Sequence, residues 1–129
     1  MATEILVNDG GAPARILPYT AGSTVSAGRV VMMYADGQVD HCTTSGSKIL
    51  GVALTAAESG NICNVITGHG VQLNAYVSGG AIGIGDELVA GGTTHGALAE
   101  KTDGTHQGQV LAIALEAATA AGLKKVQMI

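Results

Sequence analysis

The sequence predicts an all-β chain: a small barrel or sandwich built from two similar halves, preceded by an extended N-terminal arm. Three observations carry this reading. First, Ile49-Leu50-Gly51-Val52-Ala53-Leu54-Thr55-Ala56-Ala57 returns as Val110-Leu111-Ala112-Ile113-Ala114-Leu115-Glu116-Ala117-Ala118, with five of nine positions identical. A unit this small cannot bury its own apolar face, so it gains by packing on its duplicate. Second, 20 glycines and the dipeptides Asp9-Gly10, Asp36-Gly37 and Asp103-Gly104 cut the chain into short β-prone runs, and Gly supplies the positive φ of tight turns. Third, with no Trp, no Phe and only three Tyr, the core must come from Val, Ile, Leu, Ala and Met, which deliver less apolar area per residue.

Residues 1–20 form the expected arm. They carry Asn8-Asp9-Gly10-Gly11-Ala12-Pro13 and Pro18, have no counterpart in the second copy, and include the β-prone patch Glu4-Ile5-Leu6-Val7. Such an arm is expected to order against a partner rather than stay a loose terminus. Residues 21–129 are expected to be one β domain, with halves at about 22–77 and 78–129. The strands follow in order: 15–19, 30–35, 38–42, 49–54, 61–67, 70–77, 87–90, 97–100, 110–115 and 123–129. Short strands at regular spacing point to a barrel or sandwich. The clearest hairpin joins 30–35 to 38–42 across Asp36-Gly37, because a two-residue loop leaves little freedom of register. The context of the block repeats as well: Gly28 in Val25–Val31 matches Gly85 in Ile84–Val89, and Gly60 and Gly122 follow the two copies.

One segment has a competing conformation. Leu111–Ala121 is rich in Ala, Leu and Glu, strong helix formers that Gly122 could cap. The first copy contains Gly51 and soon reaches Glu58-Ser59-Gly60, which leaves room only for a strand and a turn. A strand over 110–115 followed by a loop is therefore expected, with at most one helical turn at 116–120. Leu50 with Leu111, Ala53 with Ala114 and Leu54 with Leu115 are expected to be its packing positions.

At 129 residues and 12.8 kDa the chain has the size of one domain with a real core. Charged residues make up 12 %, about half the usual share of roughly 25 %, and a surface of Gly, Ala, Ser and Thr suits close packing in an assembly. Six basic against ten acidic residues give a net charge of -4, with no basic cluster beyond Lys124-Lys125. Nucleic acid is not an expected ligand, because phosphate contacts need several Lys or Arg on one face. Met1-Ala2-Thr3-Glu4 lacks a basic region before an apolar stretch, and no run approaches the roughly 18 apolar residues of a membrane span. A secreted or membrane-bound protein is not expected. Cys42 and Cys63, without CxxC spacing, are expected to be buried free thiols.

The search for chemistry yields no expected active site. Ser45-Gly46-Ser47-Lys48 has the Ser-x-x-Lys spacing, but that pair works on a helical turn beside an oxyanion hole, and here it falls in a turn between strands. Gly68-His69-Gly70 and Gly83-Ile84-Gly85 lack the third Gly and following helix of a dinucleotide loop. His41, His69, His95 and His106 lie too far apart for a zinc site within one chain, and the acids, Asp86-Glu87 included, form no acid–base pair. No catalytic residue, cofactor or metal is expected, and the chain is not expected to be an enzyme.

The phrases Ala27-Gly28-Arg29-Val30-Val31, Ile49-Leu50-Gly51-Val52-Ala53-Leu54, Gly83-Ile84-Gly85-Asp86-Glu87-Leu88-Val89, Val110–Glu116 and Val126-Gln127-Met128-Ile129, in this order, resemble the capsid decoration or cement proteins of tailed bacteriophages. The resemblance covers about 20 to 129. It departs from the commoner pattern at Ala112, where the first copy has Gly51, and in the long stretch Gly91–Gly96. It implies a β-barrel or β-clip-like body, often trimeric, docked on the outside of the head at junctions between major capsid proteins, and made in the host cytoplasm. Capsid contact is then expected from the arm, through Glu4, Ile5, Leu6, Val7, Arg15, Ile16 and Leu17, by β-augmentation. A spike or a receptor- or carbohydrate-binding module is the alternative. Sugar sites usually need an aromatic stacking platform, which three Tyr without Trp supply poorly.

Overall fold

A computed structural model of the chain describes residues 5–8, 15–42, 49–67, 70–78, 81–90, 96–100 and 110–129. Among them are eleven strands and no helix: β1 (Leu6–Asn8), β2 (Arg15–Ala21), β3 (Val30–Ala35), β4 (Gln38–His41), β5 (Ile49–Ala53), β6 (Ile62–Thr67), β7 (Gln72–Val77), β8 (Glu87–Ala90), β9 (Leu98–Glu100), β10 (Ala112–Ala114) and β11 (Gly122–Met128). Strands β2-β4-β3-β5-β6 close into a barrel. The second sheet has the order β1-β7-β11-β10-β8-β9, and a further β7–β9 pairing at Val77 and Leu98 closes β7-β11-β10-β8-β9 into a second ring, with β1 outside it.

The duplication is visible bond by bond. Val25 and Ala57 exchange two backbone hydrogen bonds, as do Ile82 and Ala118. Gly28 N–H donates to Ala53 C=O at 2.8 Å, and Gly85 N–H to Ala114 C=O at 2.8 Å; Leu54 pairs with Asn64 as Leu115 does with Lys125. Strands β2 to β6 thus correspond to β7, β8, β9, β10 and β11. Gly28 and Gly85 hold φ of 84° and 87° at the same turn, a conformation that costs other residues about 1–2 kcal/mol.

These pairings correct the expected boundaries. Arg15–Ala21 is a stave of the first barrel rather than the end of an arm, and Gln72–Val77 opens the second half, so the halves divide between Thr67 and Gly70 and not at 77. Leu6–Asn8 is a strand paired antiparallel to β7. The 116–120 segment makes no helical turn. Its neighbourhood spends its backbone donors on the sheet, through Ala114 to Asp86, Leu115 to Lys125 and Ala118 to Ile82, and an N–H already bonded across strands cannot serve a helix.

The packing positions also differ from expectation. Ala53 and Ala114 are fully buried, but Leu50, Leu54, Leu111 and Leu115 are only half-buried. Alternation along the strand turns Ala53 and Ala114 inward and puts these leucines, an odd number of residues away, on the other face; Leu50 packs against the first barrel's cluster, and Leu54 and Leu111 against the cluster shared with the second half. The first barrel encloses Ala21, Val25, Val31, Val39, Ala53, Ala57, Cys63 and Val65. The second encloses their counterparts Val77, Ile82, Leu88, Leu98, Ala114, Ala118 and Val126. Lys124 stands where Cys63 would be and reaches outward to Glu116 at 3.8 Å, its stem covering apolar surface.

The two halves do not meet through equivalent faces. Val30, Val52, Ile66 and Cys42, which point away from the first barrel's interior, are buried in one cluster with the second barrel. The turn at Gly28 rests on β7 and β11: Gly28 C=O accepts from Tyr76 N–H at 2.8 Å, and a Cβ on Gly28 would stand 2.5 Å from Leu123 Cδ2. Arg29 lies over the Tyr76 ring at 3.7 Å. The counterpart turn is open. Gly85 has nothing within 4 Å of a Cβ position, Ile84 is 75 % exposed, and Glu87, the counterpart of Val30, is exposed.

Candidate functional site

Strand β2 runs past its neighbour. Thr20 and Ala21 pair with β4, whereas Arg15 to Tyr19 pair only with β6, whose ladder runs from Arg15 opposite Thr67 to Thr20 opposite Ile62. Beyond the reach of β4 the β2 side chains are partly exposed, although Val65 and Ile66 opposite them on β6 are buried. Ile16 and Leu17, adjacent in sequence and therefore on opposite faces, are each 42 % exposed. Pro18 sits on the edge facing away from β6, which no described strand pairs at this point, and its missing N–H blunts indiscriminate strand pairing there. Thr67 Oγ1 donates to Arg15 C=O at 3.4 Å and ties down the end.

The predicted contact residues therefore fall in two places. Arg15, Ile16 and Leu17 form the exposed overhang. Ile5 is buried against the second barrel, its C=O accepting from Asn74 N–H at 2.7 Å, and Leu6 packs beside it. Val7 lies within β1, and Glu4 lies outside the described residues. The first part of the arm is thus spent on the chain's own second sheet. Sequence reasoning missed Ile62, Ile84 and Ile129 as exposed apolar groups, at 57 %, 75 % and 53 %. A lone isoleucine carries no signal of which face it takes until the strands are paired.

A groove of about 230 Å³ marks the seam between the halves, lined by Ile49, Leu50, Gly51 and Ile66 on one side and Leu111 and Met128 on the other. Ile129 and Thr67 complete the lining; its side chains are apolar except Thr67, and main-chain polar atoms make up much of the remaining wall. Among the described residues no three His, Cys, Asp or Glu converge on a metal position. His41 Nε2 accepts from Ser26 N–H at 3.0 Å, a structural bond that holds the loop before β3. His69, His95 and His106 and the Ser45–Lys48 tetrapeptide lie outside the described residues. Both cysteines are buried, and neither is in a disulfide. Burial pushes the Cys63 thiol up from its ordinary value, the reverse of what a nucleophile needs. Asp86 Oδ2 accepts from Gly83 N–H at 2.7 Å and braces the exposed turn.

The chain matches the model of a phage cement protein family over residues 12–128. Among solved structures it is similar to the N base of the head fiber gp8.5 of bacteriophage phi29, with a TM-score of 0.63 at 20 % identity, over 91 % of this chain and 95 % of that one. No curated protein matches it.

Proposed function

The chain belongs to the phage cement protein family and is a capsid-associated structural protein of the virion; from that premise we propose that it binds the outside of the head and stabilises the shell by bridging major capsid proteins. The observation that supports this reading is the overhang of β2. Ile16 and Leu17 present partly exposed apolar side chains on opposite faces of a strand whose outer edge pairs with no described strand, and Arg15 adds a charge suited to an acidic neighbour. We further propose a trimer. Three overhangs on one particle convert a modest contact into a bridging one, since each later contact forms at high effective concentration.

The test is co-sedimentation with heads lacking the protein, together with heat resistance of the decorated heads. Ile16→Asp and Leu17→Asp should each weaken binding by about tenfold per contact, the equivalent of about 1.4 kcal/mol, and lower the temperature at which heads release DNA. Wild-type decoration by the double variant would refute the assignment of the overhang. Deleting residues 1–14 is a poorer test than the sequence alone implies. It removes Ile5 and β1 from the second sheet and so perturbs folding as well as binding.

A further inference from the structure

The turns at Gly28 and Gly85 are one structure occurring twice, and the first of them shows what such a turn can bind. Gly28 N–H donates to Ala53 C=O and Ala53 N–H to Arg29 C=O, just as Gly85 N–H donates to Ala114 C=O and Ala114 N–H to Asp86 C=O. Each turn is held by its own half, so a contact made with it loses little conformational freedom. The first is seated on the second half. Tyr76 N–H, on the edge of β7 away from β11, donates to Gly28 C=O at 2.8 Å. Leu123 of β11 stands over Gly28, and Ala27 packs against the shared apolar cluster. In the second turn Ile84 takes the place of Ala27, Asp86 that of Arg29, and nothing lies within 4 Å of a Cβ at Gly85. A single exposed isoleucine is ordinary on a surface. This one occupies a position whose duplicate is a contact, on a turn that Asp86 Oδ2 braces through Gly83 N–H.

We propose that the Ile84-Gly85-Asp86 turn is a second head-binding element, seated on the edge of an antiparallel strand pair of the capsid protein. This chain does not supply the seat itself: the strand position equivalent to Tyr76 is Thr20, whose N–H already donates to Gly37 C=O of the β3–β4 turn at 3.1 Å. The internal contact sets the chemistry of the seat. An edge N–H donates to Gly85 C=O, an aliphatic side chain on the adjoining strand covers Gly85, and an apolar recess takes Ile84. The charge is reversed. Arg29 lies over an aromatic face, which attracts a cation and repels a carboxylate, so beside Asp86 and the exposed Glu87 the seat carries a lysine or arginine. The inference rests on the head-binding reading above and adds a contact to it. With the overhang of β2 in one half and this turn in the other, a single chain can hold two capsid subunits, and the second contact forms at the high effective concentration that the first creates.

The experiment uses the full chain and heads lacking it. Ile84→Asp, at a position 75 % exposed, should leave the melting temperature unchanged and weaken head binding about tenfold. At equal occupancy it should also give heads less heat resistance than wild type, because a chain held by its overhang alone bridges less. Ile84→Cys carrying a benzophenone maleimide identifies the seat. Cys42 and Cys63 are buried, so the label enters at position 84, and irradiation of decorated heads should join it to a strand of the capsid protein that carries lysine or arginine. Uptake and heat resistance of Ile84→Asp heads equal to wild type, or a cross-link that joins only copies of this chain, overturns the inference. The overhang, read separately through Ile16→Asp and Leu17→Asp, stands in that case. Heads that take up no wild-type chain overturn both readings.

Discussion

Gly51→Ala puts the closure of the first barrel to a quantitative test. A Cβ at Gly51 would overlap the backbone carbonyl oxygen of Ile66 and stand 2.9 Å from Val65 Cγ1 and 3.1 Å from the Ile66 carbonyl carbon. Two of these three atoms are backbone of β6, so no rotamer change relieves the contact. The methyl fits only if β5 and β6 move apart where Val52 faces Ile66 and Ala53 faces Val65, the pairing that closes the barrel. Overpacking of this kind costs about 1–3 kcal/mol, and one weakened ladder bond adds about 1 kcal/mol. Loss of unfolded-state freedom on replacing Gly returns about 0.5–1 kcal/mol. The net is a loss of about 1–3.5 kcal/mol, and with an unfolding entropy of about 0.27 kcal/mol/K for a chain this long, Tm should fall by about 4–13 °C. Scanning calorimetry of wild type, Gly51→Ala and Ala112→Gly makes the measurement. The reciprocal change removes a buried methyl without strain and should cost about 1–2 kcal/mol. A Gly51→Ala chain melting within about 2 °C of wild type would refute the close approach of β5 and β6 as the reason for glycine here.

The other expectations address the seam and the core. Arg29 over Tyr76 couples the halves; a double-mutant cycle of Arg29→Ala with Tyr76→Ala should return about 0.5–2 kcal/mol, and an additive cycle would show that the stacking contributes nothing. Cys63 should react with a thiol reagent about tenfold or more slowly in the folded chain than in denaturant, and equal rates would mean that its barrel opens readily. Because the folded thiol is harder to ionise than the unfolded one, the unfolded state holds fewer protons above its own pKa of about 8.5. Stability is therefore full below that pH and declines as pH rises toward the folded value, and melts at rising alkaline pH should show a shallower decline for Cys63→Ala than for wild type. Gly28→Ala combines a φ of 84° with the Leu123 contact, whereas Gly37→Ala has a φ of 69° and open space. The first should therefore lose more stability in thermal melts than the second, whose cost is backbone strain alone, about 1–2 kcal/mol.

Much of the fold was legible in the chain itself. Asp36-Gly37 fixed one hairpin, and Gly37 does take a positive φ between β3 and β4. The repeated block marked β5 and β10, and Gly28 and Gly85 marked the same turn in both halves. These are local signals, since a turn needs its glycine whatever surrounds it. The absence of helix from Leu111–Ala121 was legible only by comparison with the first copy, because alanine-rich propensity is intrinsic whereas the sheet bonds that override it are not.

Three features came from the tertiary structure alone. Which residue of Leu50-Gly51-Val52-Ala53 faces inward depends on how β5 is paired: with Val52 opposite Ile66 and Ala53 opposite Val65, Ala53 joins the first barrel's core and Val52 the cluster shared with the second half. The role of the first residues depends on what β7 leaves unpaired, and an open edge beside Leu73 captured Leu6 from the expected arm. The same turn is buried at Gly28 and open at Gly85 because two copies of one unit, packed through unlike faces, cannot both satisfy both faces. Repetition in the sequence thus determined two similar halves with small-residue cores. Only their packing decided which half's surfaces were left over, at Ile16, Leu17, Ile62 and Ile84, since exposure belongs to the assembled surface and not to any residue in the string.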